Sequence, residues 1–146
     1  MTTIQSGSSA TMGITGSNLG PITHPNVVGM LAYPKTWKPY IYGSSNFWFN
    51  PGTTTNPVFA RPANGSYGNS GNGTELGPGV AVSNMALYKD FPIHESVKLQ
   101  FRAEYFNVFN HTNPNGPGLT FGSGIFGVIT SAKDPRIGEL SMKLFF

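Results

Sequence analysis

The sequence predicts an all-β chain, and three observations predict it. Val97, Leu99, Phe101, Ala103 and Tyr105 alternate strictly with Lys98, Gln100, Arg102 and Glu104, the period of two that sends successive side chains to opposite faces of a strand. The same period returns at the end of the sequence, where Leu140, Met142, Leu144 and Phe146 alternate with Glu139, Ser141 and Lys143. Among the 146 residues 19 are Gly and 12 are Pro, while only 10% are charged, against roughly 25% in an average soluble domain. Such turn-rich, charge-poor composition suits strands joined by long loops. Two architectures satisfy strands of this kind. One is an antiparallel sheet with one face on a soluble core; the other is a transmembrane barrel, apolar toward lipid and polar toward a lumen.

Taken in order, Thr2 to Gln5 read as the end of a strand entering a loop. Ser6 to Gly20 are rich in Ser, Thr and Gly without periodicity, which is loop composition. From Pro21 to Phe59 the aromatics Tyr33, Trp37, Tyr40, Tyr42, Phe47, Trp48, Phe49 and Phe59 are interrupted by prolines that forbid a continuous helix. Short extended pieces at Ile41-Tyr42 and Phe47-Trp48-Phe49 fit there. These rings could stack on a planar ligand such as a sugar; packing a loop onto its own scaffold, or an interfacial belt, is the preferred reading. Asn64 to Gly79 is a Gly/Asn turn tract with Asn-Gly pairs at 64–65 and 72–73, which favour positive φ. It lacks the repeated aspartates of a calcium-binding β-helix.

Val82 to Lys89 reads as the first well-formed strand, with Asp90 to Glu95 as a short connection in which Pro92 stops the ladder. Val97 to Val108 reads as the longest strand. Its twelve residues reach ~40 Å at about 3.3 Å each, whereas a tilted membrane strand needs only about 9–11 residues and a soluble one typically about five or six. This length is the physical argument for a barrel. Asn110 to Gly124 reads as a loop, Gly127 to Ala132 as a short strand, Asp134-Pro135 as a turn, and Ile137 to Phe146 as the last strand.

Several functions are excluded or left without support. With no cysteine there is no disulfide framework, thiol nucleophile or thiolate metal site. The net charge of +3 comes from basic residues scattered along the chain, so nothing marks a nucleic-acid footprint. His24, His94 and His111 lack metal-ligand spacing. His94 beside Glu95 reads as a solvated turn rather than an acid–base pair. Neither a nucleophile elbow nor a phosphate loop occurs. No catalytic, cofactor or metal residue is therefore assigned, and the chain is not expected to be an enzyme. There is no apolar run of about eighteen residues for a membrane helix, and no signal-peptide pattern at Met1 to Gly7.

Asn84 to Phe91, Leu99 to His111, Phe126 to Arg136 and the terminal aromatic together resemble the end of a TonB-dependent outer-membrane receptor, of the Oar-like subgroup with a carboxypeptidase-regulatory-like domain. Thr3 to Gly7, Pro25 to Gly29, Phe47 to Pro51 and Gly77 to Gly79 match such tails in the same order. The resemblance implies the C-terminal part of a transmembrane β-barrel, four or five antiparallel strands over 81–146, preceded over 1–80 by a strand end and a long extracellular loop region. It implies a segment of a longer protein whose signal peptide, plug and remaining barrel lie upstream. Val97, Leu99, Phe101, Ala103 and Tyr105 would then face lipid, and Lys98, Arg102, Glu104, Glu139 and Lys143 the lumen. Leu140, Met142, Leu144 and Phe146 would face lipid and form the signal read by the barrel assembly machinery. Partners would be outer-membrane lipid, the rest of the barrel and plug, that machinery, and TonB through the upstream region. The parent would import a bulky substrate across a Gram-negative outer membrane. With the C-terminus periplasmic, counting strands back puts Asn110–Gly124 in the periplasm and Asp90–Glu95, Lys133–Arg136 and Ser6–Gly79 outside. The residues alone leave a second class open: a self-contained extracellular β-protein, an adhesin or filament subunit that assembles by strand addition. A small carbohydrate-binding module using Trp37 and Trp48 is a third.

Overall fold

A computed structural model describes residues 1–16, 23–35, 38 and 46–146; Trp37, Tyr40 and the Ile41-Tyr42 piece lie outside the described residues. Among the described residues there is no helix, and none long and apolar enough to cross a membrane. The strands are β1 (Thr2–Gln5), β2 (Ser9–Ala10), β3 (Gly13–Ile14), β4 (Asn26–Val27), β5 (Phe59–Ala60), β6 (Glu75–Leu76), β7 (Val80–Ser83), β8 (Met85–His94), β9 (Val97–Phe106), β10 (Thr120–Phe121) and β11 (Ile137–Phe145). The chain divides into two compact units: residues 1–5, 80–113 and 133–146 form one, residues 6–79 and 114–132 the other.

The first unit is the sheet. Its three long strands lie in the order β11-β9-β8, all antiparallel, and β1 pairs antiparallel with β7. They do not close into a barrel. The all-β, antiparallel expectation holds, but the bounds shift for physical reasons. The expected Val82–Lys89 strand is longer and broken: Asn84 separates β7 from β8, and β8 runs on to His94. Pro92 does not stop the ladder. It pairs with Lys98 on an edge strand and is followed by a register shift before His94, the kind of edge and bulge position where a missing N–H is tolerated.

β9 ends at Phe106 rather than Val108 because asparagines take over the backbone bonds. Asn107 and Asn110 adopt φ of 50° and 51°, the left-handed region that Asn tolerates better than most residues. The Asn107 side chain accepts from the His111 N–H at 3.0 Å and donates to the His111 carbonyl at 2.9 Å. Asn84 Oδ1 accepts from the Asn107 N–H, Asn113 Oδ1 from the Ala81 N–H, and Asn110 Oδ1 from the Arg136 N–H. This asparagine rim ties the strand ends together.

The larger correction concerns direction. Gly127–Ala132 adds no strand to the sheet; β9 pairs directly with β11, from Phe106 with Ile137 to Lys98 with Phe145. A strand counted there inverts the sides. One end of the sheet carries Gln5, Val80, Phe106 and Ile137; the other carries the turn between His94 and Val97 together with the C-terminus. The chain therefore leaves the sheet twice, after Gln5 and after Asn113, from the same end. Gln5 ends one strand and Asn110 follows another at this same end of the sheet, and Glu95 sits at the opposite end.

The second unit has its own core of Met12, Phe49, Val58, Phe59 and Phe126, with Leu31, Trp48, Leu119 and Phe121 packed against it. Phe126 is the hub: its ring centroid lies 5.2 Å from Phe49, 5.1 Å from Phe59 and 5.4 Å from Phe121, each edge to face. That geometry sets the positive ring edge on the negative face of its neighbour. Two stretches remote in sequence make this core together. β10 pairs parallel with β3, and Phe47 bridges to Val128. The expected Gly127–Ala132 strand is core filling at its start instead: Gly127, Val128 and Ile129 are buried, as is Phe126 before them. Phe49 and Phe59 thus pack a loop region, in line with the preferred reading of these aromatics. Both Asn-Gly pairs place their glycine at positive φ, 77° at Gly65 and 65° at Gly73.

Candidate functional site: the two faces of the sheet

Partners across an antiparallel ladder share a face, so the registers sort the expected residues. Leu140 lies opposite Ala103, Met142 opposite Phe101 and Leu144 opposite Leu99. Across the other edge of β9, Met85, Leu87 and Phe91 lie opposite Tyr105, Ala103 and Leu99. Val97 pairs with His94 at the turn. The structure therefore joins the two runs read as apolar into one face and extends it with three residues of β8. Phe146 lies just beyond β11 and is exposed. The face is uncovered: Met142 is 73% exposed, Leu140 64% and Leu87 62%. Contiguous apolar surface of this extent on a soluble protein marks an interaction site.

Tyr105 and Gly138 fit one another on this face. A Cβ at Gly138 would come within 2.7 Å of the Tyr105 ring, so the ring lies over the space that the glycine leaves. Lys89 is the exception to the apolar pattern. It pairs with Phe101, and its Nζ lies 5.9 Å from the Phe91 ring.

The opposite face is polar and internally paired. Tyr88 Oη donates to Glu104 Oε1 at 2.9 Å, and Arg102 Nη2 donates to the same oxygen. The Arg102 guanidinium sits 5.1 Å from the Tyr88 ring centroid. Gln100 Nε2 donates to Asp90 Oδ1 at 2.9 Å, and Lys98 Nζ is 3.7 Å from Asp90 Oδ2. Lys98 and Lys143 both approach the Phe145 ring, at 4.9 and 4.8 Å. All five expected polar residues thus share this face. Glu139 stands directly opposite Glu104, an unfavourable pairing of like charges that Arg102 and Tyr88 relieve by binding Glu104. Sequence reasoning placed Gln100 on this face but missed Asp90 and Phe145 here, and Lys89 and Phe91 opposite. The alternation through Asp90-Phe91 was the available signal; reading Pro92 as a stop concealed it.

The lengths agree with the faces. β8 and β9 have 10 residues each and β11 has 9, within the about 9–11 that a tilted strand needs to span a bilayer. At the rim, a cleft of about 280 Å³ lies between Asn84, Asn107, Asn113, Lys133 and Asp134. The Asn107 and Asn113 amides are already bonded to backbone, so the rim serves as a fastening.

In the second unit Glu75 is 3% exposed and accepts from Tyr33 Oη at 3.1 Å. Burial pushes its carboxyl above the usual carboxylate range, and the Tyr33 hydrogen bond pulls the other way. Burial likewise raises the Tyr33 phenol, with the Glu75 charge adding to it and the bond to Leu76 opposing. Trp48 Nε1 donates to the Leu76 carbonyl at 2.7 Å, and its ring packs edge-on to Tyr33 at 6.1 Å. No group of His, Cys, Asp and Glu able to hold a metal occurs among the described residues.

Membrane-length antiparallel strands, one face apolar and bare, the other polar and paired, define the wall of a transmembrane β-barrel. The chain belongs to the outer membrane beta barrel domain family, whose model matches residues 1–139. That membership places it in an outer membrane. No curated protein matches the chain, and no solved structure does.

Proposed function

We propose that this chain is the C-terminal wall segment of a TonB-dependent outer-membrane receptor of the Oar-like subgroup, and that its parent imports a bulky substrate across a Gram-negative outer membrane. The observation that carries the reading is the register of β8, β9 and β11: it aligns Phe91–Leu99–Leu144, Lys89–Phe101–Met142 and Leu87–Ala103–Leu140 in rows on one face. The family match and the resemblance of the tail from Asn84 onward support it. On this reading Leu140, Met142, Leu144 and Phe146 face lipid and carry the assembly signal. Lys98, Arg102, Glu104, Glu139 and Lys143 line the lumen and meet the plug. TonB acts through the upstream part of the parent, and the segment catalyses nothing. With the C-terminus periplasmic, the Glu95-Ser96 turn is periplasmic too, and both long connections emerge outside.

The test is the parent in its own outer membrane. Expected results are a large heat-modifiable band containing this sequence, loss of that band when Phe146 is deleted, and substrate uptake that stops when TonB is removed. A stable outer-membrane protein whose function is indifferent to TonB would overturn the receptor reading. The open outer edges of β8 and β11 favour a second reading, an extracellular β-protein assembling by strand addition. A stable 15.6 kDa band that forms filaments would establish it instead.

A further inference from the structure

Besides the two turn pairs Asn64-Gly65 and Asn72-Gly73, the sequence holds a third Asn-Gly pair, Asn115-Gly116, and all three lie in the second unit. In such a pair the side-chain amide is open to attack by the next backbone nitrogen, because glycine has no Cβ to hinder the approach. Ring closure needs two things: a free glycine nitrogen, and a carboxamide free to turn its Cγ toward it. The structure treats the three pairs differently.

At 72–73 the nucleophile is tied down: the Gly73 N–H donates to Thr11 Oγ1 at 2.8 Å, and Ser9 lies against the glycine. At 115–116 the carboxamide is tied down: half-buried Asn115 donates from Nδ2 to Ser131 Oγ at 2.8 Å and from its backbone N–H to the Ser131 carbonyl at 3.0 Å. At 64–65 neither is held. Both residues are exposed, and among the described residues neither the Asn64 carboxamide nor the Gly65 N–H has a hydrogen-bond partner. The space beside Gly65 is open. The pair forms the corner of a turn, with Gly65 at φ 77°. Ser66 closes that turn on the Ala63 carbonyl, through its N–H at 3.1 Å and its Oγ at 2.8 Å. A two-residue corner in solvent opens at small cost.

We propose that Asn64 is a site of spontaneous deamidation, and that Thr11 and Ser131 guard the other two pairs. The step needs only water. The Gly65 nitrogen, its proton taken by hydroxide, bonds to Asn64 Cγ; the Cγ–Nδ2 bond breaks and Nδ2 leaves as ammonia, closing a five-membered imide. Water then adds to one of the two imide carbonyls. Opening at Cγ leaves aspartate. Opening at the Asn64 main-chain carbonyl leaves isoaspartate, with the chain running through Cβ and Cγ. An amide and water become a carboxylate and ammonium, with no redox change. The inference is independent of the receptor reading.

The product changes this one turn in charge and in shape. The second unit carries Lys35, Lys38 and Arg61 against a single acidic residue, Glu75. Deamidation adds a carboxylate three residues after Arg61. Isoaspartate also lengthens the main chain between Ala63 and Ser66 by one methylene, and the bond that closes the turn cannot keep its geometry. Aged copies then differ from new ones at a single exposed turn that is no part of the core around Phe126.

The test ages outer membranes carrying the protein in mildly alkaline buffer and follows each pair by peptide mass spectrometry, with isoaspartate scored by its separate elution. The same protein unfolded in guanidinium is the reference, in which the three pairs should react at similar rates. In the folded protein Asn64 should deamidate at least about ten-fold faster than Asn72 and Asn115, whose bonds must first open locally. Thr11→Val removes the acceptor of the Gly73 N–H and should speed Asn72 severalfold, with Asn64 and Asn115 unchanged. Equal rates at the three pairs in the folded protein, or an unreactive Asn64, overturn the proposal, and so does an unchanged Asn72 rate in Thr11→Val. If Thr11→Val speeds Asn115 as well, the unit has opened, and Ser131→Ala decides in its place: Asn115 alone must then speed, and its failure to do so overturns the guarding roles. TonB-dependent uptake tests the receptor reading separately, so either can fail alone.

Discussion

At the scale of single residues, Glu75 carries the clearest pH signature. Its carboxyl is raised above 4.5 by burial in the folded unit, so between the unfolded and folded values the folded state holds more protons. Linkage makes stability fall as pH rises through that window. Glu75→Gln keeps an acceptor for Tyr33 and removes the titration. The expected outcome is that wild type loses stability relative to the variant as pH climbs from about 4 toward neutrality, read by urea titration of the second unit's Trp48 fluorescence; parallel curves would contradict it. Two glycines give a second contrast. At Gly118 a new Cβ would clash with the Ile125 carbonyl oxygen, a backbone atom, whereas at Gly138 it would meet the Tyr105 ring, which can turn. Gly118→Ala should cost about 3 kcal/mol and Gly138→Ala about 1, measured as shifts in unfolding midpoint.

At the scale of the strand, the two faces of β11 differ in chemistry, one apolar and bare, the other polar. Met142→Arg puts a charge on the bare apolar face near the middle of the strand, and in a bilayer this should cost about 2–4 kcal/mol. Ser141→Arg, one residue away on the polar face opposite Arg102, should cost less than about 1 kcal/mol. Folding titrations in lipid vesicles measure both; equal costs would mean that the apolar face does not meet lipid. β9 and β11 are legible in the sequence because their alternation is local and nearly uninterrupted. β8 is half legible: its alternation carries a lysine on the apolar face and a proline near the end, and only pairing with β9 reveals that Pro92 lies on an edge. The strand ends are set by Asn84 and Asn110, whose side-chain bonds reach across the sheet, and by Asn107, which bonds His111 four residues on; none leaves a periodic trace.

At the scale of the molecule, the second unit was not legible. Its core joins Met12 to Phe126 and its parallel pair joins Gly13 to Thr120, contacts more than a hundred residues apart along the chain. Each stretch alone reads as Gly/Pro-rich loop, and Gly127 to Ala132 imitates a strand. Replacing residues 114–132 by a short flexible linker tests the arrangement. Met12, Phe49 and Phe59 then lose Phe121 and Phe126. Limited proteolysis should cut within 6–79 at least ten-fold faster while the sheet segments stay protected. Unchanged cleavage would show that 6–79 folds unaided.

The two-part core also sets an order of events. Ribosomes add roughly 5–20 residues per second, so Phe126 is added about 2–9 s after residue 79, and until it is present Phe49 and Phe59 lack the ring that packs against both. A polypeptide broken off before that point leaves its first insertion open to proteases, however well its first strands are made. Phe126 thereby serves as a closing piece: the second unit packs only once residues 114–132 have joined residues 6–79.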